Sequence, residues 1–97
     1  MRIAEETSYP LAECQLGYAY LEGIGIEKDL TQALRWTTLS AEHGDRDGQY
    51  NLASIYEDGI CGRIDVEKAK YWYKQAALQN HDLAIEKCIK LGVDVNL

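Results

Sequence analysis

A polypeptide that repeats itself at a fixed interval is limited to folds in which each copy packs on the next, so an internal repeat constrains architecture more than local propensity does. Here the interval is 36 residues and needs no gap. Sliding the chain by that amount places Leu16 on Leu52, Tyr20 on Tyr56, Gly23 on Gly59, Ile24 on Ile60, Asp29 on Asp65, Ala33 on Ala69, Trp36 on Trp72 and Ala41 on Ala77. Glycines, alanines and large aromatics are the types that turn geometry and packing restrict most, which makes coincidence a poor account. A third copy starts and stops short, with Ala84, Cys88 and Leu91 falling on Ala12, Leu16 and Ala19. The 97 residues therefore read as one domain of about two and a half units. Residues 1–11 form an N-terminal segment, 12–47 and 48–83 are full repeats, and 84–97 are a half repeat with a C-terminal cap.

Each unit reads as two helices joined by a glycine-marked loop, because its apolar residues recur at helical rather than alternating spacing. Ala12, Leu16, Ala19 and Tyr20 make one stripe, which predicts the buried face of the first helix. Gly23 can close that helix in the left-handed conformation, and Asp29 can cap the next, with Gln32 three residues on. Leu30, Ala33, Leu34, Trp36, Thr37, Ser40 and Ala41 are expected to line the second helix up to Gly44. The second unit repeats this over about 46–58 and 66–79, with Asp65 as cap, Val66, Ala69, Trp72, Tyr73, Ala76 and Ala77 inward, and Asn80 in place of the terminating glycine. A fifth helix is predicted over roughly 82–91, ending at Gly92. The fold class is all-α, an α-solenoid of five helices.

Sixteen acidic against ten basic residues give a formal charge of −6, which opposes phosphate backbones and anionic membranes, so neither nucleic acid nor membrane is an expected partner. No stretch approaches a bilayer span, and Glu5 and Glu6 stand where a signal peptide is apolar; the expected location is the cytoplasm. Cys14, Cys61 and Cys88 are an odd set at wide spacing, compatible with a reducing compartment and not with zinc.

The motif Leu16-Gly17-x-x-Tyr20-x-x-Gly23-Ile24-Gly25-Ile26-x-x-Asp29-x-x-x-Ala33-x-x-Trp36, closing with Ser40-Ala41-x-x-Gly44, resembles the Sel-one-like repeat, a relative of the tetratricopeptide repeat. The second copy departs at Cys61-Gly62 in the loop, Ala53 for Gly17 and Asn80 for Gly44, and Thr37 takes a usually aromatic position. The resemblance implies a right-handed superhelix and a binding scaffold. A stacked helical array offers an extended surface for a partner and no deep pocket for chemistry.

On tetratricopeptide geometry the concave, partner-binding face comprises Leu11, Cys14, Tyr18, Leu21 and Glu22, then Asp47, Tyr50, Ser54, Glu57 and Asp58, extended by Glu86 and Lys90. Apart from Lys90 its charges are acidic, which suits another protein with a basic surface; a solvated acidic face is the plainer alternative. A small bacterial adaptor or inhibitor, such as a toxin-neutralising immunity protein, is the expected form. Cysteine-rich relatives suggest β-lactam binding or hydrolysis instead, but Ser40, Ala41, Ala76 and Ala77 stand where their disulfides belong. Too few units to cover a solenoid core also allow self-association, or a cap from residues 93–97.

Catalytic motifs are missing: there is no Gly-x-Ser-x-Gly, no Ser-x-x-Lys and no Cys–His pairing, and Gly23-Ile24-Gly25-Ile26 follows a helix rather than a strand. No catalytic residue, cofactor or metal is expected. His43 precedes a helix-terminating glycine, where a cation favours the carbonyl end, and His81 lies in a turn near the surface. Cys88 belongs to the core, Cys61 to a loop, and Cys14 is the expected exposed thiol.

Overall fold

The computed structural model describes residues 10–94, with side-chain surroundings from residue 12 onwards. Within them the chain forms five helices and no strand: α1 (Pro10–Glu22), α2 (Leu30–Glu42), α3 (Arg46–Asp58), α4 (Val66–Ala77) and α5 (Asp82–Leu91). Each helix packs on the next in chain order, and α1 also touches α3, so the first helices of successive units share a layer. The expected N-terminal segment, Leu11's side chain and most of the 93–97 tail fall outside the described side chains; Val93 packs against the core.

The repeated sequence produces repeated local bonds. Asp29 accepts from the Thr31 and Gln32 N–H groups at 3.0 and 3.1 Å, and Asp65 from Lys68 N–H at 3.1 Å, each satisfying donors that a helix N-terminus leaves open. The same aspartates tie the loop back through their own N–H, Asp29 to Tyr20 O at 3.0 Å and Asp65 to Tyr56 O at 2.9 Å. Asp45 caps α3 by accepting from Gly48 N–H at 2.7 Å. Asn80 takes the left-handed conformation, φ 63°, that glycine supplies after other helices. His81, expected near the surface, is instead a half-buried cap whose Nδ1 accepts from Ala84 N–H at 3.3 Å.

Close approach explains the small residues. A Cβ added at Gly17 would lie 3.0 Å from Thr37 N and 3.3 Å from Ala33 O, so α2 rests directly on the α1 backbone. At the next junction a Cβ on Gly48 would lie 2.8 Å from Ser40 Cβ. The main core then gathers Ala53, Ala69, Tyr73, Ala76, Ala77, Ala84 and Cys88 between α3, α4 and α5, with Trp72, Ile85 and Leu91 packed at its margin.

Two expectations about buried faces change. In α1 the buried residues are Glu13, Cys14 and Gly17, whereas Ala12, Leu16, Ala19 and Tyr20 are half-buried. The counterparts Leu52 and Ile55 are 1% and 3% exposed because α2 covers α3; among the described residues no helix precedes α1 to do the same. Val66 is exposed rather than inward, since it is the first residue of α4 and its side chain precedes the packed turn.

A candidate partner-binding face on the first helices

The twelve expected groove residues lie on α1, α3 and α5, the helices that open each unit. Tyr18, Glu22, Asp47, Asp58, Glu86 and Lys90 are exposed; Leu21, Tyr50, Ser54 and Glu57 are half-buried; Leu11's side chain lies outside the described residues. Cys14 is the exception. It is buried, with its sulfur accepting from Asn51 Nδ2 at 3.5 Å, so the expectation of an exposed thiol fails because α3 closes over it. Burial, reinforced by the carboxylates of Asp45 and Asp47, pushes its thiol up to about 11 and leaves it unreactive.

The second half of the face is internally bonded. Tyr73 rises from the core with its hydroxyl donating to Glu57 Oε1 at 2.7 Å and lying 3.1 Å from Ser54 Oγ. Lys87 Nζ reaches the same Glu57 oxygen at 3.1 Å. The Tyr73 hydrogen bond holds the Glu57 carboxyl below its usual range, with Lys87 adding to the effect, and the bond to Glu57 raises Lys87 in turn. Burial raises Tyr73 strongly. Beside this network His81 Nε2 lies 3.0 Å from Asp47 Oδ1, and its ring stacks on Tyr50 at 4.7 Å, 9° from parallel. Glu57 and Asp47 are therefore partly spoken for. Glu22, Asp58 and Glu86 make no ion pair among the described residues.

Glu22 and Asp58 share one register and end their helices, where a negative charge meets the negative pole of the helix dipole. That placement is unfavourable alone and is relieved by a cation. Tyr18, one turn before Glu22, and Leu21, its neighbour in sequence, supply apolar surface.

Sequence reasoning missed Lys87 and Tyr73 as parts of this face, and it missed Glu13. The Glu13 side chain, 2% exposed, sits 2.7 Å from His43 Nδ1, so His43 secures the end of α2 to α1 as well as standing at the helix terminus. The register would have revealed the pairing. Moving 36 residues on gives Gln49 and Gln79, and there Gln79 Nε2 donates to Gln49 Oε1 at 2.9 Å. One structural contact is thus made twice, once between a carboxyl and an imidazole and once between two amides. Among the described residues no three His, Cys, Asp or Glu side chains converge as metal ligands, and no helix is long and apolar enough to cross a membrane.

Comparison with known proteins agrees with this geometry. The Sel1 repeat model matches residues 10–45 and 46–81, the same 36-residue period begun two residues earlier than the frame above. A crystal structure of a Sel1 repeat protein from Oxalobacter formigenes superimposes with a TM-score of 0.87 at 36% identity, covering 92% of this chain and 67% of that one. A putative sel1-like repeat-containing protein, L21, of Acanthamoeba polyphaga mimivirus is 35% identical over 88 residues, 86% of this chain and 16% of that protein. The ERAD-associated E3 ubiquitin-protein ligase component HRD3B of Arabidopsis thaliana is 36% identical over 55 residues, 56% of this chain and 9% of that protein. The chain therefore spans less than a fifth of either curated relative. Two matched units, sharing one loop-and-cap grammar and stacked in chain order, identify the chain as a member of the Sel1 repeat family.

Proposed function

We propose that this chain is a non-enzymatic protein-binding module, and that it docks a partner's basic surface on the face built by α1, α3 and α5. The observation that carries the reading is the row of exposed acids, Glu22, Asp58 and Glu86, none of which makes an ion pair among the described residues, with Tyr18 and Leu21 as apolar anchors. Hot spots combine such an anchor with charges that the partner completes. The family's use as interaction scaffold supports the same reading, and one relative is by name a component of a ligase assembly. A net charge of −6 also speeds encounter with a cationic partner, as suits a cytoplasmic adaptor or an inhibitor such as an immunity protein against a basic toxin.

The experiment is co-purification with mass identification, followed by titration of the recovered partner. Glu22→Lys with Asp58→Lys is expected to weaken binding and flatten its salt dependence, while Glu67→Lys, exposed on α4, changes little. Equal affinity in all three proteins removes this face from the interface. Turnover of a chromogenic β-lactam by the purified chain would replace the binding reading with the enzymatic one.

A further inference from the structure

One helix cap departs from the repeat. Asp45 and His81 hold the same register, 36 residues apart, and each accepts from the N–H three residues on: Asp45 from Gly48 at 2.7 Å, and His81 through Nδ1 from Ala84 at 3.3 Å. An aspartate keeps its acceptor charge down to the carboxylate range, whereas an imidazole changes charge between about pH 5 and about pH 8. The exchange gives α5 a cap that a proton can remove near neutral pH, which α3 lacks.

Geometry fixes which nitrogen that proton must reach. A backbone N–H only donates, so Nδ1 facing Ala84 carries no hydrogen, and the neutral ring's one hydrogen sits on Nε2, 3.0 Å from Asp47 Oδ1. The ring thus joins two helices, α5 through the cap and α3 through Asp47. Its side chain is 12% exposed and is held flat on the Tyr50 ring. Around it stand Arg46, Asp47 and Tyr50 from α3, Asp82 from the first turn of α5, and at the end of α4 the Ala76 carbonyl, which accepts His81's own N–H at 3.2 Å. Arg46 opposes a charged ring and Asp47 favours it; Asp82 favours it too, but is exposed and screened by solvent.

Protonation of Nδ1 sets one hydrogen against another at Ala84 and places a cation at the positive pole of α5, so the cap bond is lost. The bond from Nε2 to Asp47 survives and gains charge assistance. We propose that His81 is a proton-operated latch between α3 and α5: neutral, it caps α5 and holds Asp47; protonated, it stays with Asp47 and releases the first turn of α5.

The test is NMR on the full ¹⁵N-labelled chain. Long-range imidazole spectra at about pH 8 are expected to show His81 as the Nε2–H tautomer. From about pH 7.5 to about pH 5, the hydrogen-exchange protection factor of the Ala84 amide is expected to fall about fivefold, the usual effect of losing one N-cap. Gly48, capped by Asp45, holds steady over that range and serves as the internal reference. His81→Asn keeps an acceptor and cannot titrate, so it is expected to cancel the fall. An Nδ1–H tautomer in the wild type overturns the latch, as do Ala84 and Gly48 protection factors that move together, or a fall of equal size in His81→Asn.

Discussion

His43→Ala removes the one partner that the Glu13 carboxyl has among the described residues; its side chain is 2% exposed at the α1–α2 junction. Breaking a buried ion pair from one side costs about 3–5 kcal/mol, and losing a hydrogen bond to a charged group about 1.5–3 kcal/mol. The lower figure applies, because the His43 side chain is 37% exposed and its removal admits water to the carboxylate. A loss of about 2 kcal/mol corresponds to a fall in melting temperature of roughly 10 °C for a domain of this size. The second unit shows the remedy. Glu13→Gln with His43→Gln installs the amide pair already used by Gln49 and Gln79, and is expected to recover half or more of that loss. Thermal and urea unfolding of the wild type, the single variant and the double variant measure both steps. Stability of the His43→Ala chain within about 0.5 kcal/mol of wild type, the usual range for an indifferent surface site, refutes the pairing. A double variant no better than the single one refutes the equivalence of the two junctions.

Gly48→Ala should destabilise by about 1–3 kcal/mol despite the better helix propensity of alanine, because the new Cβ meets Ser40 at 2.8 Å; adding Ser40→Ala, which copies the Ala84 and Ala76 registers, should restore the chain in chemical denaturation. Tyr73→Phe deletes a bond to a carboxylate and should cost about 1–3 kcal/mol in the same assay. Glu57, held below its usual range chiefly by that bond, contributes stability above the ordinary carboxylate range that is lost as pH falls through its folded value; a pH series of melts should show a flatter acid limb in Tyr73→Phe than in wild type. Alkylation at pH 8 read by mass spectrometry should label loop residue Cys61 first and spare Cys14 until unfolding, since a thiol near 11 is on the order of one part in a thousand ionised there.

The repeat made the fold legible, and it did so where one residue type is physically required. Asp29 and Asp65 cap because only a short acceptor reaches the open N–H groups, and Gly17, Ala53 and the alanines mark helix contacts because nothing larger fits. Sites built by residues from different units were harder to see. Cys14 looked like a surface position in its own helix, and only the placement of α3, with Asn51 and Asp47 above it, buries it. Glu57 read as a free acid because Tyr73 and Lys87, 16 and 30 residues away, converge on it only after α4 and α5 have folded back. Glu13 was hidden by composition, since a lone acid on an apolar helix face is ordinarily solvated. Comparing registers across units, rather than helices within one, would have paired it with His43 by way of Gln49 and Gln79.

One row of residues sets α5 apart from α1 and α3. Register 17, 53 and 89 holds Gly17, Ala53 and Ile89, and in the first two units this position lies beneath the second helix of its own repeat. The α1–α2 approach leaves no room for a Cβ at Gly17, so a branched side chain there excludes a helix at that spacing. Ile89 is that branched side chain, and it is 74% exposed. A second helix set against α5 in the manner of α2 or α4 must first move it aside, at the usual expense of overpacking.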